Sequence, residues 1–81
     1  MILEIKAVCA PYGATVKPVD GHWIRWDAEQ MKNVSSNIRY ATVHRPGKPD
    51  APEFYEMRER LDAQGWQTSL HGDGNTMDVH P

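Results

Sequence analysis

Residues 51–64 constrain the fold most, because they form the clearest helix pattern in the sequence. Phe54, Met57 and Leu61 recur at the spacing that brings apolar side chains to one face of a helix. Gly65 follows at the place where a helix commonly ends. The sequence therefore predicts a helix over 51–64 that buries this apolar stripe.

The start of this helix and its polar side carry acidic residues. Asp50 and Glu53 have the spacing of a capping box in its aspartate form, and Pro52 suits the first helical turn. Glu53, Glu56 and Glu59 give the helix an acidic side. Such a surface suits a basic protein, including one that normally binds nucleic acid. These three glutamates are one candidate partner-binding surface.

A hairpin pattern precedes this helix in the chain. Asp20-Gly21 separates two strand-like runs and is typical of a type I′ turn, which predicts strands over 14–19 and 22–26. Because Pro18 has no N–H to donate to a ladder, we expect the first of these strands at the edge of a sheet.

The hairpin combines aromatic and basic residues. Trp23 and Trp26 lie on opposite faces of a strand because they are an odd number of positions apart, and the sequence leaves open which of them is buried. Trp and Arg are the residue types that dominate the energetics of protein interfaces. The other candidate partner-binding surface is therefore formed by His22, Trp23, Arg25, Arg39 and Arg45.

The remaining segments carry weaker patterns. Residues 2–10 favour a helix, with a strand over 2–8 as the alternative. Asp27 is typical of a helix N-cap and predicts a short helix over 28–34. The other predicted elements are a strand over 37–44, a loop over 45–50 and a hairpin of strands 66–71 and 76–80. Together they predict one α+β domain over residues 1–81, in the order α-β-β-α-β-α-β-β, with an antiparallel sheet covered on one face by helices.

The size of the chain adds a constraint on stability and compartment. Its 81 residues have room for one domain only. The lone Cys9 cannot form an internal disulfide, and the N-terminal residues show no signal-peptide pattern, so we expect a cytoplasmic protein. A domain this small often needs a partner or a staple. Either the core is efficient, helped by Trp23, Trp26 and Trp66, or the protein forms a homodimer.

The net charge of −2 hides opposite charges in two segments. Residues 22–48 carry +3, whereas residues 50–81 carry −5. The basic segment and the aromatic hairpin favour an alternative function, weak binding of single-stranded nucleic acid. The strand that carries Trp23 and Arg25 would stack on bases, and Lys17, Arg39 and Arg45 would bind phosphates. The negative total charge argues against this alternative, because affinity for nucleic acid depends on many phosphate contacts.

Motifs of enzymes and cofactor sites are absent from the sequence: there is no GxGxxG, P-loop, CxxC or HExxH. His71 and His80 would lie about 13 Å apart on the last hairpin, too far to share a metal ion. Residues 61–66, followed by a strand and His71, resemble the helix–Gly-Trp–strand opening of HicA-type toxins, which are small RNA-cleaving proteins. This resemblance implies a third function, a His-dependent ribonuclease, although the Gly-Ser that precedes the histidine in that family is missing.

We therefore expect a non-catalytic module that binds another protein and covers part of its surface, without a metal or a cofactor. Small inhibitors and accessory proteins of phages and mobile elements share this size and composition. The hairpin and the acidic helix are the two surfaces that compete for the contact.

Overall fold

A computed structural model describes residues 2–81, with the exception of five side chains: Trp23, Arg25, Ser36, Asn37 and Ile38. The regular elements are α1 (Ile2–Cys9), a short 3-10 helix (Ala10–Tyr12), β1 (Thr15–Asp27), β2 (Lys32–His44), α2 (Pro52–Ala63), β3 (Gln67–Leu70) and β4 (Thr76–His80). The four strands form one antiparallel sheet in the order β1-β2-β4-β3.

Both helices pack on the same face of this sheet, which confirms the predicted α+β class. The core combines the apolar faces of α1 and α2 with inward side chains of β2 and β4. Its members are Ile5, Val8, Cys9, Ala41, Val43, Phe54, Met57, Leu61, Met77 and Val79. Each helix thereby buries the apolar stripe that its sequence pattern predicts. This burial stabilises the fold by about 25 cal/mol for every Å² of apolar surface removed from water.

The helix α1 confirms the helix favoured for residues 2–10 over the alternative strand. Ile5, Val8 and Cys9 are buried on its inner side, and burial raises the pKa of the Cys9 thiol to about 11. Gly13 closes the following 3-10 turn with a φ of 68°, a conformation that glycine adopts at no steric cost. Cys9 is therefore a core residue and not an exposed nucleophile.

The helix α2 is confirmed, but the predicted capping box at its start is wrong. The N-cap residue is Ala51, which makes no side-chain capping bond. The carboxylate of Asp50 instead accepts a 2.7 Å hydrogen bond from the Tyr55 hydroxyl. The backbone N–H of Asp50 donates to the carbonyl of Gly74 at 3.1 Å. The first bond directs the Asp50 side chain to Tyr55 of α2, and the second joins its backbone to the turn before β4, so the side chain does not cap the helix.

The segment between residues 14 and 44 differs most from the prediction. Asp20 and Gly21 lie in the middle of β1, paired with Arg39 and Ile38, and form no turn. Gly21 serves a different purpose there, because a Cβ at this position would lie 3.0 Å from the ring of Tyr40. The glycine is a site of close approach within the sheet.

The predicted helix over 28–34 is also wrong, since these residues form the turn and the start of β2. The Asp27 carboxylate accepts hydrogen bonds from the N–H groups of Glu29 at 2.9 Å and Gln30 at 3.2 Å. An N-cap uses the same bonding pattern. Here the same bonds close a turn. Met31 is the last residue of this turn and has a φ of 55°.

The strands β1 and β2 extend beyond the rest of the sheet, and this extension carries the candidate site. The strand β4 pairs with β2 only over Ala41–His44. Beyond that point β1 and β2 continue as a two-stranded ribbon, from the pair Val19–Tyr40 to the pair Asp27–Lys32. We call residues 19–40 the arm and the rest of the molecule the body. The arm explains the elongated dimensions of the protein, 44 × 25 × 21 Å.

Candidate protein-binding surface

Large apolar side chains are exposed along the arm. The exposed fractions are 69% for Ile24, 58% for Trp26 and 73% for Met31. Among the residues that the structure describes, no third strand pairs with the arm. Two-stranded hairpins are only marginally stable in water without a further strand or a helix against them. The described parts of this chain therefore leave these three large apolar side chains without cover.

Strand alternation assigns Ile24 and Trp26 to one face of the arm. Val16 packs against the core below the helices, so the even-numbered residues of β1 share the helix side of the sheet. His22 lies between them in this series and is exposed. The patch predicted from the sequence contains His22 but neither Ile24 nor Trp26. Their shared parity with Val16 becomes informative only because β1 continues without a turn from Thr15 to Asp27.

The structure places Trp23 and Arg25 on the arm as well. Their backbones pair with Ser36 and Val34 of β2. Their side chains lie outside the described part of the structure. The predicted patch therefore contributes His22, Arg39 and these two strand positions to the arm.

Arg39 lies near the base of the arm and is paired with an acid. Its Nε donates to Oδ1 of Asp20 at 3.0 Å, and both side chains are largely exposed. This hydrogen bond raises the pKa of the Arg39 guanidinium. Asp20 is its direct cross-strand neighbour, so the carboxylate of Asp20 balances the positive charge of Arg39.

Arg45 is not part of the arm. It follows β2 at the body end, and only 18% of its side chain is exposed. Its Nη2 lies 3.8 Å from Oε2 of Glu53, while Nε and Nη1 are buried without a hydrogen-bond partner among the described groups. The amide of Asn75 donates to the Arg45 carbonyl at 2.7 Å. The structure thus joins Arg45 to the start of α2 and separates it from His22.

The acidic side of α2 is partly neutralised. Glu53 lies beside Arg45, and Glu56 lies 3.6 Å from Arg60 one helical turn later. Glu59 is exposed. Two of the three glutamates thus have a guanidinium as neighbour, which weakens the case for this helix as an acidic contact surface.

A polar network lies on the sheet face opposite the helices. His71 Nε2 is 3.1 Å from Asp78 Oδ2, the diagonal contact that the sequence pattern allows, and Thr42 donates to Asp78 at 3.1 Å. Beside it, Thr76 bonds to His44 at 2.9 Å and to Asp73 at 2.7 Å. These bonds connect β2, β4 and the turn before β4. We interpret the network as structural, because it lies on an open sheet face and satisfies its own polar groups.

Two surface depressions border α1. One of about 610 Å³ lies between the helices and includes Ala7 and Arg60 in its lining. Another of about 370 Å³ lies beside the start of β1, and its lining consists of Lys6, Ala10, Ala14, Thr15 and Val16.

The described residues contain no cluster of three or more His, Cys, Asp or Glu side chains that could hold a metal ion. Their helices are too short and too polar for any of them to cross a membrane. Comparisons with protein-family models, with curated proteins and with solved structures each find no match for this chain.

Proposed function

We propose that this protein is a non-catalytic binding module of the cytoplasm, and that its arm contacts another protein chain. The observation that carries the proposal is the exposure of Ile24 and Trp26 on one face of an uncovered ribbon. Tryptophan is enriched among the residues that contribute most to protein interfaces, because it buries a large area with little loss of conformational freedom. The face of the arm that carries Ile24 and Trp26 is therefore the best-supported contact surface of the molecule.

The backbone of the arm supports the same conclusion. As an edge strand of 13 residues, β1 pairs on one side only within the described part of the chain, with β2. An edge of this kind accepts a strand from another chain through main-chain hydrogen bonds. Strand addition would supply affinity, and Ile24 and Trp26 would supply the side-chain contacts that make it selective.

The charges of the arm favour a protein over a nucleic acid. Asp20 balances Arg39, and Arg45 lies beside Glu53 in the body. A nucleic-acid site needs several cations free to contact phosphates. Each described cation of the predicted patch lies beside a carboxylate, which leaves less positive charge for phosphates, so an apolar protein surface is the better partner.

Site-specific crosslinking in the native host tests this function. A photoreactive phenylalanine analogue replaces Trp26 in one variant and Leu3 in the control, which is 82% exposed but lies on α1. We expect protein adducts of defined mass at position 26, resistant to nuclease, at about ten times the control yield. Equal yields at the two positions would contradict the proposal. Adducts that disappear after nuclease treatment would instead assign the arm to nucleic acid.

A further inference from the structure

The free edge of β1 also indicates which chain would pair with it. We infer that the arm binds a second copy of this protein, with β1 antiparallel to the partner's β1 about a two-fold axis at His22. This inference rests on the proposed function and names its partner. The two chains would share one sheet, and each arm would become part of a four-stranded layer. That change removes the exposed edge and the marginal stability of a two-stranded ribbon.

Charge complementarity selects the register. With the axis at His22, Lys17 lies opposite the partner's Asp27, and the symmetry creates this pair twice. An axis at Gly21 would place Lys17 opposite the partner's Arg25, and like charges directly opposite are destabilising. An axis at position 23 would leave Lys17 outside the pairing altogether. The register at His22 joins residues 17–27 of both chains, places His22 opposite its own copy at the axis, and brings no two lysine, arginine or acidic residues of like charge opposite each other.

The same register gives the exposed tryptophan a neighbour. Trp26 lies opposite the partner's Pro18, on the helix side of the joined sheet, and both residues are exposed in the single chain. Pro18 cannot donate to the new ladder. The pairing therefore has fewer main-chain bonds at its two ends, where the indole of Trp26 contributes apolar contact instead.

The tip of the arm also meets a suitable surface. Continuing the register past Asp27 brings the turn 28–31 beside residues 13–16 at the start of the partner's β1. The depression of about 370 Å³ lined by Lys6, Ala14 and Val16 lies there. The turn carries the exposed Met31 and the acidic Glu29. In this register Met31 would lie beside the apolar lining of the depression, and Glu29 would lie near Lys6.

Cysteine scanning under mild oxidation tests both the dimer and its register. Opposite Cβ atoms in an antiparallel pair are about 4.5–5.5 Å apart, close enough for His22→Cys to form a disulfide with its own copy after small adjustments. Asp20→Cys and Ile24→Cys are the matched controls, because each lies about 13 Å from its own copy. Cys9 does not interfere at pH 8, since it is buried and its thiol pKa is raised to about 11.

We expect at least tenfold more disulfide-linked dimer for His22→Cys than for either control, and a sedimentation mass of twice 9.2 kDa for the unmodified chain. A peak at another position would overturn the register, and a monomer at about 100 µM, far above typical dimer affinities, would overturn the second-copy inference. If a monomer still forms adducts with a different protein at position 26, the proposed function stands without it. If both experiments fail, the arm is not a protein-binding surface.

Discussion

The body and the arm share one sheet but differ in what stabilises them. In the body, two helices cover the strands, and the side chains of Phe54, Met57 and Leu61 are almost fully buried. In the arm, cross-strand pairing continues without such cover, and Ile24 and Trp26 are exposed. The comparison separates residues that hold the fold from residues available to a partner.

Truncation of a large side chain in each region should separate them most clearly. We expect Phe54→Ala to lower the free energy of unfolding by about 3–5 kcal/mol, because it leaves a cavity in the core. This is a large share of the roughly 4–12 kcal/mol that a domain of this size has. We expect Trp26→Ala to cost about 1 kcal/mol or less in the monomer. Denaturant unfolding at low protein concentration measures both values, and equal losses would mean that the arm is an integral part of the core.

How far the sequence predicts these two regions depends on the range of the forces involved. The apolar stripes of α1 and α2 are local, so both helices are predicted correctly, although the α1 pattern also allows a strand over 2–8. The Asp20-Gly21 turn signal is also local, but it is overruled by a residue far away in sequence: Tyr40 lies against Gly21 across the sheet. Pairing over 13 residues of β1 outweighs the preference of two turn residues.

The candidate site was predictable only in part for the same reason. Asp27 bonds to the same backbone groups whether it caps a helix or closes a turn, so its sequence signal does not separate the two. The length of the arm follows from where β4 stops pairing with β2, at Ala41. That end point depends on the tertiary structure, and no pattern in the local sequence predicts it. His22 was assigned to the contact surface, whereas Ile24 and Trp26 could be assigned only once the strand was known to be continuous.

A glycine pair in the turn before β4 sharpens the description of the body. Gly74 has a φ of 73°, and a Cβ there would lie 2.8 Å from the backbone nitrogen of Asp50. Gly72, two residues earlier, has open space around its Cα. We expect Gly74→Ala to destabilise the fold by about 1–3 kcal/mol, and Gly72→Ala to change stability by less than about 0.5 kcal/mol. Thermal unfolding of the two variants measures the difference, and similar melting temperatures would refute the close contact between Gly74 and Asp50.

The turn of the arm offers a smaller and more local test. Asp27→Ala removes the acceptor of two backbone hydrogen bonds, at a cost of about 1 kcal/mol. If arm and body open independently, native-state hydrogen exchange should become about fivefold faster at arm amides and stay unchanged at α1 and α2. Glu29→Ala is the control, since it alters the same turn without removing that acceptor. Faster exchange throughout the body would show that the two regions open as one cooperative unit.

The smallest expected effect concerns acid pH and belongs to the body. The pKa of Asp73 is lowered from its ordinary value of 3.8, chiefly by the hydrogen bond from the Thr76 hydroxyl and then by the N–H of Asn75. A carboxylate with a lowered pKa stabilises the folded state above its unfolded pKa, and this contribution is lost as the pH falls towards the folded value. We therefore expect Asp73→Asn to lower the free energy of unfolding at pH 6. Between pH 6 and pH 3 the variant should then lose less stability than the unmodified protein. Urea midpoints at the two pH values measure that loss, and the same loss with and without the substitution would remove Asp73 from the groups that make the body acid-sensitive.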